Sequence, residues 1–179
     1  MIMNLRLPIT SNRLSKLSVG DSVSLSGQLC TVRDEAHRLL LDLSKENIPF
    51  NLDDKAIYHC GPLMEKKDDQ WRVISAGPTT SSRMEDFQID FLKKFPHINV
   101  IVGKGNIGEK TRKALKNRGV YLVYTGGAGA LAADQIKKII DVFWIKELGM
   151  AEAVWLFEVK DFGPLIVAID SHGNSIFNR

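Results

Sequence analysis

The sequence predicts an α/β fold with a β-rich first third followed by strands and helices in alternation, and three observations carry that prediction. Residues 1–32 hold short runs of alternating apolar and polar residues between turn signals, as in Ser22-Val23-Ser24-Leu25, the pattern of half-buried strands. From Met84 onward, apolar runs of strand length alternate with stretches of helical period. Two glycine-rich loops, Gly103-Lys104-Gly105-Asn106-Ile107-Gly108 and Thr125-Gly126-Gly127-Ala128-Gly129, each sit between an apolar run and a helical stretch.

Taken in order, residues 5–9 read as a strand, and residues 22–25 and 28–32 as the arms of a hairpin turning at Ser26-Gly27. Arg33 falls at a strand-to-helix corner, where Asp34 can cap a short helix running through Leu39 and Leu40 to Leu43. Pro49, Asp53, Asp54 and Gly61-Pro62 punctuate the next stretch, with residues 56–60 a candidate strand. A polar turn at 66–69 leads into a strand at 71–75, which delivers the chain to Gly77. Met84, Phe87, Phe91, Leu92 and Phe95 recur at helical spacing and predict a helix over 84–95. Then come a strand at 98–102, a helix at 109–117, a strand at 120–124 and a long helix at 130–147 with Leu131, Ile136, Ile139, Ile140 and Phe143 inward. Strands at 153–159 and 165–170 complete the chain, the last closed by the turn Ser171-His172-Gly173-Asn174, where His172 reads as a satisfied turn histidine.

At 179 residues and 44% hydrophobic, the chain is long enough for one well-buried core and short for two, so a single domain over 1–179 is expected. A net charge of +3, with Lys and Arg scattered, gives no nucleic-acid signal. Cys30 and Cys60 have neither CxxC spacing nor neighbouring His ligands, so no metal site is expected of this chain, and reduced thiols suit a reducing compartment. No apolar run approaches about 18 residues and the start lacks a signal-peptide pattern, so a cytoplasmic protein that does not engage a membrane is expected.

Gly77-Pro78-Thr79-Thr80-Ser81-Ser82-Arg83-Met84 packs a rigid turn, four hydroxyls and a guanidinium into eight residues. Ser82 and Glu85 fit a Ser-x-x-Glu capping box, which puts Arg83 in the first helical turn. The free N–H groups and the helix dipole favour acidic residues there, so Arg83 carries charge of the wrong sign. An anion at the helix start, held by N–H groups, hydroxyls and the guanidinium, removes the conflict; an ordinary capped helix with an exposed Arg is the competing reading.

The loop at 103–108 matches GxGxxG after a strand and before a helix, but the following strand ends in Leu122-Val123-Tyr124-Thr125 with no acid for a ribose. As a P-loop it fails because Glu109 separates Gly108 from Lys110. What survives is Lys104 between two glycines at a strand end, either an anion contact or a turn lysine facing water. Arg33, Arg83 and Lys104 thus occupy corners beside the hydroxyls, with no compensating acid read at those corners. That set suits a small di-anion. Removing a hydroxyl from such an acid also needs a Lewis acid, for which this chain has no ligand cluster.

At these residues the sequence resembles the β subunit, or C-terminal domain, of class I iron–sulfur fumarate hydratases and L-tartrate dehydratases. The matching strings are Arg33-Asp34-x-Ala36-His37, Tyr58-x-x-Gly61-Pro62, Gly77-Pro78-Thr79-Thr80-Ser81-x-Arg83-Met84, Gly103-Lys104-Gly105, Gly126-Gly127-Ala128 and Ile169-Asp170-Ser171-x-Gly173. The resemblance implies a swivelling β/β/α domain that closes over a partner α subunit, in an assembly of α2β2 type. The partner would carry a [4Fe-4S] cluster whose open iron takes the substrate hydroxyl. It implies that Arg33, Arg83 and Lys104 hold the substrate carboxylates, that Thr79 is the catalytic acid/base, and that Asp34, His37, Thr80 and Ser81 support them. The stretch departs from the family at Ala151, a spacer before Glu152-Ala153-Val154-Trp155, and reads as lying away from the site. The alternative is a non-catalytic anion or nucleotide binding module built on 103–108.

Overall fold

A computed structural model of the chain describes residues 2–177. Its elements are β1 (Met3–Arg6), α1 (Ser11–Leu14), β2 (Ser22–Thr31), α2 (Asp34–Asp42), β3 (Ala56–Tyr58), β4 (Leu63–Lys67), β5 (Gln70–Ser75), α3 (Glu85–Lys94), β6 (Val100–Gly103), α4 (Glu109–Leu115), β7 (Val120–Tyr124), α5 (Gly129–Gln135), β8 (Ile136–Phe143), α6 (Ile145–Leu148) and β9 (Val154–Ile169). Seven strands join in the order β1-β2-β3-β6-β7-β9-β8, and β9 also pairs with β2, so β2, β3, β6, β7 and β9 form a closed ring. Strands β2, β3, β6 and β7 run parallel to one another, while β9 runs antiparallel to β2, β7 and β8. The fold is α/β, as expected.

Side chains alternate across the sheet with period two. Ala56, Tyr58, Val100, Val102, Leu122 and Tyr124 enter one core with Trp155 and Phe157. Ile57, Ile101 and Tyr121 turn to the other, where Leu40 of α2 and Phe91 and Leu92 of α3 cover them. The Phe91 side chain is fully buried. Truncating such a residue to Ala costs about 3–5 kcal/mol, so α3 is fixed firmly to the sheet. Among the described residues no helix is long and apolar enough to cross a membrane.

Three expected elements take a different form. The hairpin at Ser26-Gly27 is instead one strand, β2, whose first residues pair in parallel with β1. Gly27, with φ +128°, sits at an irregularity in the β2–β9 register, and a Cβ there would press on Leu7. The long helix at 130–147 ends at Gln135; Ile136–Phe143 form β8, with Ile139 opposite Phe157 and Val142 opposite Trp155, and the last residues fall in the short α6. Ile136, Ile139 and Ile140 satisfy helical spacing, but their stiff β-branched side chains also suit a pleated strand, and pairing with β9 decides. Leu131 and Ile140, expected inward, are exposed. The last two expected strands are one, β9.

Candidate active site

The parallel strands β2, β3, β6 and β7 point their carboxyl ends the same way, the end where both open and closed α/β sheets place ligands. Arg33 follows β2, His59 follows β3, Lys104 follows β6 and Gly126 follows β7. The turn at 77–84 lies between the ends of β3 and β6. Thr79 N donates to His59 O at 2.7 Å and Ser81 N to Lys104 O at 3.0 Å, and bridges join Cys60 to Pro78 and Thr80 to Lys104. Tyr58 Oη donates to Ala76 O at 2.6 Å and Ala76 N to Gly129 O at 3.0 Å, which anchors the chain as it enters Gly77. Thr79 is half-buried, Thr80 exposed and Ser81 buried. The Thr79 hydroxyl makes no hydrogen bond among the described residues.

The arginines carry acids after all. Arg33 Nη2 lies 3.1 Å from Glu152 Oε1 and 3.9 Å from Asp34 Oδ2, and Asp34 Oδ2 lies 3.0 Å from Arg83 Nη2. The expectation of uncompensated cations is therefore corrected: sequence spacing hid Glu152, which the loop before β9 brings back to Arg33. The stretch at Ala151 likewise does touch this corner. A Cβ at Gly61 would overlap Arg33 Nη1 and crowd Ala151 O, so only glycine leaves room for the guanidinium. Arg33 Nε is buried without a hydrogen-bond partner among the described residues. Burial raises the Glu152 carboxyl above its usual range, opposed by the Glu35 N–H and the Arg33 charge. The Arg83 side chain is half exposed, the Asp34 side chain only 16%.

Beneath this corner His37 and His59 are fully buried. His37 Nδ1 is 2.8 Å from Arg33 O, and the Gln88 amide nitrogen is 2.8 Å from His37 Nε2 and 3.2 Å from His59 Nε2. His59 Nδ1 is 2.9 Å from Ser81 Oγ, which also accepts from Lys104 N at 3.2 Å. Desolvation lowers His37 to about 4 and lowers His59 strongly, so both imidazoles are neutral at physiological pH.

Lys104 forms no ion pair among the described residues, and its stem packs near Gly126, where a Cβ would meet Lys104 Cδ at 3.5 Å. In the 103–108 loop, a Cβ at Gly103 would strike Ser81 Oγ, and one at Gly108 would strike the Glu85 carboxylate. Glu85 Oε1 accepts from Lys110 N at 3.2 Å. A carboxylate of the chain thus stands where a nucleotide phosphate would need to be. The same contact corrects the expected capping box. Residues Ser81–Met84 form a 3-10 turn, α3 begins at Glu85, and neither start has a side-chain cap. Ser81 is held by His59 and Lys104 and Glu85 is drawn to α4, so Arg83 stands in the turn before the α-helix.

An iron–sulfur cluster does not fit this chain's own residues. Cys30 and Cys60 are buried, and burial pushes the Cys30 thiol up to about 12 and raises Cys60 as well, against the thiolate a cluster needs. No group of three or more His, Cys, Asp and Glu suited to a metal occurs among the described residues. At the far turn, His172 Nε2 bonds Ser15 O at 2.9 Å, and Asp170 accepts from the backbone of Val19, His172 and Asn174, which are structural roles.

The structure thus brings Arg33, Asp34, Arg83, Thr79, Thr80, Ser81, His37 and Lys104 into one neighbourhood. Sequence reasoning missed Glu152, His59 and Gln88. Gln88 did leave a signal: it sits on the helix face of Met84, Phe91 and Leu92, where a polar residue must be satisfied inside the core.

A family model described as Fumarase C-terminus matches residues 1–179. The Methanocaldococcus jannaschii protein named "Putative L(+)-tartrate dehydratase subunit beta" is 48% identical over 174 residues, covering 96% of this chain and 89% of that protein. The Escherichia coli K12 protein named "L(+)-tartrate dehydratase subunit beta" is 43% identical over 173 residues, covering 96% and 85%. A Geobacillus stearothermophilus protein named "Putative fumarate hydratase class I" is 44% identical over 177 residues, covering 98% of this chain and 33% of that protein. With its full length matched, this chain belongs to the Fumarase C-terminus family.

Proposed function

We propose that this chain is the β subunit of a hydro-lyase acting on a four-carbon dicarboxylate, either interconverting fumarate and L-malate or dehydrating tartrate. The whole chain acts as one swivelling unit that closes over a cluster-bearing α subunit. The observation that carries the reading is that Arg33 and Arg83 share the Asp34 carboxylate while Lys104 is laced by its backbone to Thr80 and Ser81. Three cations less two carboxylates leave one net positive charge, and a di-anion entering this corner supplies a second partner for Arg83, which pairs with Asp34 alone, and a first one for Lys104.

In this reading Arg33, Arg83 and Lys104 hold the carboxylates, and the Thr79 hydroxyl exchanges a proton with the carbon next to one of them. A threonine hydroxyl is a poor base unless surrounding cations stabilise its alkoxide, and Lys104 and the arginines are the cations at hand. The Lewis acid that takes the hydroxyl comes from the partner. The names of the relatives support this class of reaction, and the subunit-beta label of the two tartrate dehydratase relatives supports a second chain.

The test is to co-purify the full chain with its cluster-bearing partner and assay fumarate, L-malate and the tartrate stereoisomers. Turnover of one or more of them only when both chains are present is expected. A pure complex with an intact cluster that turns over none of them would overturn the reading.

A further inference from the structure

The buried relay beneath the site has a single consistent assignment of donors and acceptors. Arg33 O can only accept, so His37 Nδ1 carries the hydrogen. His37 is neutral, so its Nε2 accepts, and the group facing it at 2.8 Å must be the Gln88 NH2 and not its oxygen. The second hydrogen of that NH2 goes to His59 Nε2 at 3.2 Å, which leaves His59 Nδ1–H to donate to Ser81 Oγ at 2.9 Å. Ser81 Oγ accepts again from Lys104 N at 3.2 Å. Among the neutral side chains, only a primary amide gives two N–H donors from one atom to two imidazole nitrogens. The cost falls on Gln88 Oε1, buried with no partner among the described residues. An unpaired buried carbonyl costs about 1–3 kcal/mol, which the bonds of the relay must offset.

We infer that Gln88 is a positioning residue, which through His37 and His59 fixes the spacing between the Arg33 corner and the Ser81–Lys104 corner and so matches the site to a four-carbon di-acid. This rests on the proposed hydro-lyase reading. One end of the relay is the backbone of Arg33 and the other the backbone of Lys104, the two cations that come from the ends of β2 and β6. Strand β3 lies between them, and backbone bonds from Val32 N to Tyr58 O and from His59 N to Val102 O hold the strand ends in register. The relay adds to that ladder a side-chain constraint that runs from Arg33 O to Ser81 Oγ and Lys104 N. A displacement of about 1 Å in such a site is enough to cost up to about a hundredfold in rate.

The experiment uses the full chain in complex with its partner and compares wild type with Gln88→Met, which keeps length and removes both donors. Expected are a fall in kcat of at least about tenfold and a loss of at least about threefold in the preference for succinate over glutarate as inhibitor. The inhibitor ratio reports the cation spacing, which a change of stability alone leaves untouched. An unchanged kcat and ratio in an active complex would overturn the positioning role and leave the hydro-lyase reading intact. A wild-type complex inactive on every dicarboxylate would overturn that reading and the role with it. If Gln88→Met does not fold, nitrogen-15 NMR of the wild-type chain decides the relay. Both imidazoles are expected as neutral Nδ1–H tautomers near about pH 7, and an Nε2–H form on either ring would overturn it.

Discussion

Arg83 Nη2 lies 3.0 Å from Asp34 Oδ2, which ties the hydroxyl-rich turn after β5 to the first residue of α2. With Arg83 half exposed, the pair adds little stability, about 0–1 kcal/mol, and under the proposed function it aims the guanidinium. Arg83→Ala is therefore expected to leave the urea midpoint of the chain nearly unchanged. In the reconstituted complex it should raise the KM for the dicarboxylate by at least about tenfold. Parallel denaturation and kinetic measurements check both halves, and a large stability loss with unaltered KM would assign Arg83 to the fold alone.

Gly61 faces the Arg33 guanidinium so closely that a methyl group overlaps Nη1. Gly61→Ala must push Arg33 away from Glu152 or distort the loop at Ala151, an overpacking cost of about 1–3 kcal/mol. The expected outcome is a lower unfolding free energy together with weaker dicarboxylate inhibition of the complex. A variant indistinguishable from wild type in both would show that the corner is looser than described.

The buried histidines make stability depend on pH with a definite sign. His37 titrates near 4 when folded and near 6.5 when unfolded, so the unfolded chain takes up the proton first on acidification. Stability is fully present above about pH 6.5 and is lost progressively as pH falls toward 4. His37 alone contributes about 3 kcal/mol to that loss, and His59, lowered in the same direction, adds to it. Urea titrations from pH 7 down to pH 4 should show the midpoint falling across this window, and His37→Phe should flatten the fall. A flat profile for wild type would mean that the imidazoles are solvated.

Parts of this arrangement were legible in the sequence because they rest on local signals. Arg33 at a strand end, Lys104 between two glycines and the eight-residue turn at Gly77 all declare themselves within short windows, and the resemblance adds the joint role proposed for them. The misread segments obey two rules at once: Ile136, Ile139 and Ile140 fit a helix face and a strand equally, and only β9, arriving later in the chain, selects the strand. Glu152 could not be assigned to Arg33 from spacing, because that contact is made by tertiary closure and not by periodicity. The His37–Gln88–His59 relay stayed hidden for the same reason, its members coming from α2, α3 and the end of β3.

Glu85 decides the fate of the glycine loop. Its carboxylate accepts from Lys110 N and fills the space beside Gly108. Calorimetry of the full chain with ATP and with NAD is expected to show no saturable heat. Glu85→Gln should lower stability by about 0.5–1 kcal/mol, through the loss of a carboxylate from the start of α4. Saturable nucleotide binding that Glu85→Gln leaves unaltered would contradict this use of the loop.

The central claim is that cations of this chain grip the substrate di-acid, and Lys104 tests it most directly because its ammonium pairs with no carboxylate among the described residues. The decisive measurement is kcat/KM of the Lys104→Met complex on the substrate that the wild-type complex turns over. Losing a buried charge contact of this kind costs roughly 2–5 kcal/mol, so a fall of at least about thirtyfold is expected, with the complex assembled and its cluster intact. A kcat/KM within about twofold of wild type would contradict the account.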